Sequence, residues 1–461
     1  MPLAPSKQTS QDLFFLIPLS LFIFIFRLGT GALASWDEAI YASVAKEVLQ
    51  SGQWLRPTLM GNIWLEKPPL CIWATALCFK LFGINEFAAR IFSAACGAGT
   101  VIATYFLGRR LFNRWTGFLG ALVLLTSSHF IRFSRFGVMD APLTLFVTLA
   151  FYFFWSGRRR ERDLVFSGLA FALAFMVKGP AAFFIPLVTW LYCWVARDRD
   201  VLRRPLYWAG LAAAVAVIAA WSIYQAVFFH DVLAADVSLH FFRRLTETLD
   251  GHAGGIFFYL RVLVNKFHPW ILIGIFSAPY FLFRALKDRE EEFVFLSVWM
   301  FLILALITAV RTKLAWYLLP VYPALSLSVA YFVAMVFRER SAWVAKGLFL
   351  VIAALHVPYS HIFNHDYSRD IRGIAPAVVS RVTPAQAVAL YNYHESPAIS
   401  FYMGRRCFYL DSKEEFLNKA SEPHLNLLIR AKDLEILGPS VLTRQGLTQQ
   451  AAFEDLYFFS K

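Results

Sequence analysis

The sequence predicts a polytopic all-α membrane protein carrying a small C-terminal α/β domain outside the membrane. Three observations lead there. Of 461 residues, 58 % are hydrophobic and only 16 % charged, where a soluble domain carries about 25 % charged residues. Apolar runs of near-bilayer length recur along the first 360 residues. Short basic clusters separate every second pair of these runs.

The apolar runs fall near 13–28, 88–108, 116–134, 141–156, 164–177, 180–196, 206–229, 257–283, 293–310, 315–336 and 343–360. Several borrow flanking residues to reach the roughly 20 that a helical span needs. That makes about eleven crossings. The stretch 70–83 is undecided between a short re-entrant and an interfacial helix. The first run lacks a small-residue cleavage site and is expected to be a retained helix.

Orientation follows from the loops. Arg109, Arg110 and Arg114 fill one, and Arg158, Arg159, Arg160 and Arg162 the next. Arg197, Arg199, Arg203 and Arg204 follow, then Arg284, Lys287 and Arg289, then Arg338, Arg340 and Lys346. With the N-terminus in the cytoplasm, all five clusters land on the cytoplasmic side. The formal net charge of +13 is therefore assigned to anionic membrane lipids. No nucleic-acid-binding signature accompanies it, so no nucleic-acid partner is expected.

The other face receives 29–87, the stretch around 135–140, the turn near 178–180, 230–256, 311–314 and everything after about 361. The expected division is a membrane domain over 1–360, with 29–87 as its first outer loop, and an outer α/β domain over 361–461. In the latter, Ala387–Tyr391 and Leu425–Ile429 read as strands and Lys413–Ala420 as a helix. Cys71, Cys78, Cys96, Cys193 and Cys407 have neither metal-ligand spacing nor a disulfide pattern.

Unusual polar residues crowd the outer face. In Ser35-Trp36-Asp37-Glu38, Ser35 or Asp37 is placed to cap a helix whose apolar positions Ile40, Tyr41, Val44, Val48 and Leu49 form an amphipathic face. Acids in a first turn suit the helix dipole; a carboxylate at the membrane border also suits acid–base work in a cavity. Glu66-Lys67-Pro68-Pro69 presents an acid and a cation from a stiff turn. Met139-Asp140-Ala141-Pro142 reads as an N-cap with proline just inside the helix. Lys178, before Gly179-Pro180, sits between two apolar runs. A charge there costs several kcal/mol without a partner, and phosphate is a natural one. Arg311 and Lys313 break the positive-inside trend, which points to an anionic ligand. His240, four residues after Asp236, and His252 are weaker candidates, as are Asn265, Lys266 and His268.

Taken in order, several strings resemble the GT-C superfamily of polyprenyl-phosphate-sugar glycosyltransferases. They are Trp36-Asp37-Glu38-Ala39-x-Tyr41-Ala42, Leu65-Glu66-Lys67-Pro68-Pro69, Arg135-x-x-x-Met139-Asp140, Lys178-Gly179-Pro180 and Lys313-x-x-x-Tyr317-x-Leu319-Pro320, spread over residues 30–325. The similarity is to the branch of the bacterial lipid A aminoarabinose transferase and the protein O-mannosyltransferases. Ser400-Phe401-Tyr402-Met403-Gly404-Arg405 also resembles a feature of that family's outer domain.

The resemblance implies a GT-C fold in the bacterial inner membrane, with the active site facing the periplasm. It makes Asp37 the catalytic first-loop aspartate and Asp140 a second cavity aspartate. It makes Lys67 and Lys178 the lysines on the carrier phosphate and places Tyr317 near the donor. Arg311 and Lys313 join the donor side as added cations. Glu66 and His240 match residues reported to bind a divalent metal (Zn, Mg or Mn) in the aminoarabinose enzyme. The donor would be a polyprenyl-phosphate sugar, and the acceptor lipid A, a glycan or a protein.

Departures from the pattern bear on the substrate. Ile40 stands where the aminoarabinose branch usually has arginine, and Trp64 where it often has tyrosine. The chain is also shorter after its tenth span, so two C-terminal crossings are expected to be absent. A direct attack predicts inversion, with Lys67 and Lys178 stabilising the leaving phosphate and Asp37 as base for a hydroxyl acceptor. Rival functions are a surface polysaccharide polymerase or ligase, a transporter, or a non-catalytic binding subunit. A transporter should show inverted repeats and midplane charges, and neither is visible.

Overall fold

The computed structural model describes residues 7–229, 254–337, 343, 347, 366–393 and 396–461. They form two compact units. One contains 1–28, 65–71 and 90–363; the other contains 29–64, 72–89 and 364–461. The first outer loop thus groups with the C-terminal residues.

In chain order the helices begin with α1 (Lys7–Ile25), α2 (Asp37–Ser51), α3 (Leu70–Phe82), α4 (Glu86–Leu111), α5 (Arg114–Leu125) and α6 (Ser128–Arg135). Then come α7 (Asp140–Gly157), α8 (Asp163–Lys178), α9 (Phe184–Val195) and α10 (Pro205–Phe228). After 253 follow α11 (Phe258–Lys266), α12 (Ile271–Lys287), α13 (Glu291–Ala309) and α14 (Tyr322–Phe337), the last entered through a 3₁₀ turn over Ala315–Val321.

Among the described residues, six helical stretches are long and apolar enough to cross a membrane, or seven if the bent pair α5 and α6 is one span. The count of eleven is not reproduced. The run 116–134 breaks at Thr126-Ser127 with a 65° bend between α5 and α6. There the hydroxyls of Thr126 and Ser127 bond back to carbonyls of the preceding turn. The run 257–283 is two helices, α11 and α12, parted at Phe267–Trp270; Pro269 has no amide to continue a helix. The undecided stretch 70–83 is the 13-residue apolar helix α3. The run 343–360 lies outside the described residues apart from Trp343 and Gly347.

The continuous apolar stretch Asp163–Val195 is a hairpin, as the expected turn near 178–180 requires. Lys178 at the end of α8 reaches Asp140 at the start of α7. Beyond α9, Asp198 pairs with Arg158 just past the end of α7. The chain therefore returns to the end it left. Gly168 and Gly210 let α8 and α10 touch backbone to backbone: a Cβ on Gly168 would lie 2.1 Å from the Gly210 carbonyl oxygen. Rings of Phe151, Phe154, Tyr192, Phe295 and Trp299 interlock α7, α9 and α13.

The ends of this unit differ in charge. Arg158 meets Asp198 and Glu291, and Arg204 donates to the Gly157 and Arg158 carbonyls. Arg114 grips Asp12 near the start of α1, with Nη2 to Oδ1 at 2.7 Å. These basic loops lie about 27 Å, the length of 18-residue α7, from Asp140 at its other end.

The second unit is built on five strands. These are β3 (Ala387–Tyr391), β4 (Arg406–Leu410), β5 (Asn426–Arg430), β6 (Thr448–Phe453) and β7 (Leu456–Ser460), after the small hairpin β1 (Thr58–Leu59) and β2 (Asn62–Ile63). The order is β4-β3-β5-β7-β6, with β3, β4 and β5 parallel and β7 antiparallel to both neighbours. Helices α15 (Arg369–Arg381), α16 (Ser396–Met403), α17 (Lys413–Lys419), α18 (Ala431–Leu437) and α19 (Pro439–Arg444) accompany the sheet. Ala389, Leu427, Ile429, Phe416 and Phe459 form its core. The strands expected from their short apolar runs are present as β3 and β5, and the expected helix is α17.

Candidate active site

At the end of the membrane unit away from the basic loops, four of the expected residues come together. Asp140 opens α7. It does not cap that helix: Met139 holds the N-cap position and makes no side-chain cap bond. Instead Asp140 Oδ1 accepts from Lys178 Nζ at 2.6 Å. Both side chains are buried, at 3 % and 12 % exposure. Burial at this depth demands a partner for each charge, and each supplies the other's. Lys178 also lies over the ring of Tyr317, 4.8 Å from its centroid. The rigid 3₁₀ turn that carries Tyr317 is tied down by Trp299, whose indole donates to the Pro320 carbonyl at 2.8 Å.

The hairpin tip positions a third element. Gly179 takes φ +55° and ψ −127°, a conformation open to glycine and strained for other residues. A Cβ there would lie 3.7 Å from Pro68 Cγ. The Glu66-Lys67-Pro68 turn is therefore packed beside the Lys178 turn. Glu66 is exposed and Lys67 half-buried, its amine 3.3 Å from the Glu66 carbonyl oxygen.

Arg311 and Lys313 line an open groove of about 1180 Å³, with Arg261, Phe258 and the α13 residues Phe301, Leu304 and Ala305. The two cations differ. Arg311 is exposed. Lys313 is 6 % exposed, and its amine donates to the carbonyls of Thr308 and Val310 at the C-terminal end of α13. It serves first as a helix C-cap, a role its place against the charge trend did not reveal. Burial pulls its ammonium below the ordinary lysine range.

Asp37 belongs to the other unit. The N-cap position of α2 is Trp36, without a side-chain cap bond, and Asp37 is the first residue of the helix. The backbone-facing acid is Glu38, whose carboxylate accepts from the Ala34 amide at 2.8 Å. Asp37 stands half-buried in the first turn and makes no hydrogen bond or ion pair to any described residue. The face of α2 that the sequence marked as amphipathic buries Tyr41, Val44 and Val48.

His240, His252 and Asp236 lie outside the described residues. Among the described residues no group of three or more His, Cys, Asp and Glu is arranged to hold a metal. Arg135, noted only as part of a motif, donates to the carbonyls of Ile23, Phe24 and Phe26 and so closes the end of α1. A cation before Met139-Asp140 gave no hint of that distant partner.

Comparison with known proteins bears on this arrangement. Residues 66–224 match the family described as dolichyl-phosphate-mannose-protein mannosyltransferase. The matched segment contains Glu66, Lys67, Asp140 and Lys178. An uncharacterised protein of Aquifex aeolicus is 31 % identical over 73 % of this chain and 66 % of its own length. An undecaprenyl phosphate-α-4-amino-4-deoxy-L-arabinose arabinosyl transferase of Pseudomonas fluorescens is 29 % identical over 68 % of this chain and 57 % of its own length. The chain thus spans about three fifths of these relatives. The crystal structure of ArnT from Cupriavidus metallidurans bound to undecaprenyl phosphate superposes with a TM-score of 0.78 at 18 % identity, covering 98 % of both chains.

The chain has the GT-C fold.

Its sequence is similar to the branch that holds the aminoarabinose transferases and the protein O-mannosyltransferases. The GT-C fold extends to more distant relatives: the oligosaccharyltransferase of Archaeoglobus fulgidus superposes with a TM-score of 0.65 at 12 % identity, over 93 % of this chain and 70 % of its own. It is a multi-pass membrane protein of mainly helical GT-C architecture with a small C-terminal sheet domain. Within that frame, Lys67, Asp140, Lys178 and Tyr317 occupy one end of the membrane unit.

Proposed function

We propose that this protein is an inverting glycosyltransferase that moves a sugar from a polyprenyl-phosphate carrier to an acceptor at the periplasmic face of a bacterial inner membrane. The carrying observation is the buried Asp140–Lys178 pair beside Tyr317 and the Lys67 turn, at the end of the unit opposite the basic loops. Those loops suit the cytoplasmic face, which sets the N-terminus inside and the site outside. The printed names of the relatives and the undecaprenyl phosphate in the ArnT structure support the donor class. Lipid A is the first acceptor to test, and a pentose the first sugar. A glycan or a protein hydroxyl are the other acceptors.

In this reaction an acceptor oxygen forms a bond to the anomeric carbon from the face opposite the leaving group. The anomeric carbon–oxygen bond to phosphate breaks, and its electron pair leaves on the carrier phosphate. Lys67 and Lys178 stabilise the charge that grows there. Asp140 fixes Lys178 in place. Its carboxylate is already engaged by Lys178, which leaves Asp37 as the base. Asp37 takes the proton of a hydroxyl acceptor, or orients an acceptor that is already ionised.

The test is transfer from a panel of radiolabelled undecaprenyl-phosphate sugars to membrane acceptors by purified protein in liposomes, with Asp37→Asn and Lys67→Ala alongside. Product from one donor, lost in both variants, supports the reading and names the sugar. No turnover across the panel by folded, carrier-binding protein overturns it in favour of a ligase or a non-catalytic role.

A further inference from the structure

Three consecutive backbone amides just before Asp37 each donate to a side chain from a different element. Ala32 donates to Asp366 Oδ1 at 2.6 Å, Leu33 to the Tyr402 hydroxyl at 2.8 Å, and Ala34 to Glu38 Oε2 at 2.8 Å. Tyr402 lies on α16, far along the chain, and its hydroxyl in turn donates to Glu86 Oε1 at 3.1 Å, at the start of α4. Arg372 of α15 bridges Glu86 and Asp366 at 3.4 and 3.3 Å. Gly29 brings the strap against α4: a Cβ there would stand 3.0 Å from Phe87 Cβ.

The strap is coupled to the catalytic turn on its other side. The Ala34 carbonyl accepts from the Ala39 amide at 3.0 Å, while Glu38 reaches back to the Ala34 amide. Asp37 sits inside that closed ring. Farther along α2, Ser43 and Lys46 donate to the Pro397 and Phe401 carbonyls of α16. The string Ser400–Arg405, which the reaction leaves without a role, is therefore the part of the C-terminal domain that holds α2 and its leading strap.

We infer that Tyr402, backed by Glu86, is a positioning residue for Asp37: it fixes the 32–34 strap and through it the direction of the Asp37 carboxylate. This rests on the reading of Asp37 as the acceptor-side carboxylate. Misplacing a reacting group by about 1 Å costs on the order of 10²-fold in rate. Removing one of three strap contacts should cost less, about tenfold in kcat.

The experiment uses full-length protein in liposomes. Tyr402→Phe keeps the ring and removes the hydroxyl; Glu86→Gln keeps the acceptor and removes the charge. Hydrogen exchange of the 32–34 amides and transfer kinetics are measured on both. Tyr402→Phe is expected to speed exchange at Leu33 and lower kcat about tenfold, with donor KM within about twofold; Glu86→Gln should do the same more weakly. Unchanged exchange at Leu33 overturns the clamp. Faster exchange with unchanged kcat, or a loss confined to donor KM, overturns the positioning role. An inert wild type instead overturns the transferase reading and takes the positioning role with it, while the exchange data still report on the clamp.

Discussion

Lys178 Nζ lies 2.6 Å from Asp140 Oδ1, and the two residues open and close adjacent antiparallel helices. The pair ties the start of α7 to the tip of the α8–α9 hairpin. Removing one partner leaves a buried charge. Asp140→Ala is expected to destabilise the protein by about 3–5 kcal/mol. Asp140→Ala combined with Lys178→Met should recover most of that loss while remaining inactive. Thermal unfolding in detergent checks this; equal destabilisation in single and double variants would count against a paired charge.

Gly179 sets where Lys178 and Pro68 meet. At φ +55° any side chain is strained, so Gly179→Ala should cost about 1–3 kcal/mol. The same change should displace both phosphate-side turns and raise the donor KM. A variant with wild-type melting and wild-type KM would show that the turn tolerates a Cβ.

Arg311 and Lys313 should separate by function. Lys313→Met removes charged donors from two helix-end carbonyls and is expected to lower stability by about 1.5–3 kcal/mol. Arg311→Ala should leave melting within about 0.5 kcal/mol, as surface changes do, and weaken donor binding. Melting curves and donor KM measured on both variants decide the assignment, and a reversed pattern would overturn it.

Lys46 links stability to pH. Burial lowers its ammonium below the ordinary lysine value of about 10.5; neighbouring Glu47 opposes this and Arg405 adds to it. Below the folded value both states are charged and the folded state carries the whole burial penalty. Above 10.5 both are neutral and the penalty is gone. Between the two the unfolded chain binds more protons, so stability rises with pH. Lys46→Met should flatten that rise. Melting temperatures measured upward through the alkaline range test it, and parallel curves for the two proteins would refute the linkage.

Much of this was legible along the chain. Apolar length and loop charge mark a membrane protein and its two differently charged ends, because hydropathy and charge placement are local properties. The short continuous apolar run Ala387–Tyr391 marks β3, as expected of a strand buried on both faces. Asp140 and Lys178 stood out as charges beside apolar runs, Lys67 as a cation on a stiff proline turn, and Tyr317 through the resemblance of its string to the GT-C pattern. Which partner each charge meets was a matter of tertiary structure. Only the hairpin turn at Gly179 joins Lys178 to Asp140, and only the end of α13 makes Lys313 a cap. Asp140 looks like a cap in sequence, but Met139 holds the N-cap position, because cap geometry depends on backbone angles that neighbouring residues do not dictate. Two apolar runs that hydropathy alone reads as continuous are each broken into two helices, one at hydroxyls that bond back to the preceding turn and one at a proline. The union of the first loop with the C-terminal domain rests on bonds such as Leu33 to Tyr402, which span most of the chain. Contacts of that range are decided by three-dimensional packing, and no local pattern in the sequence encodes them.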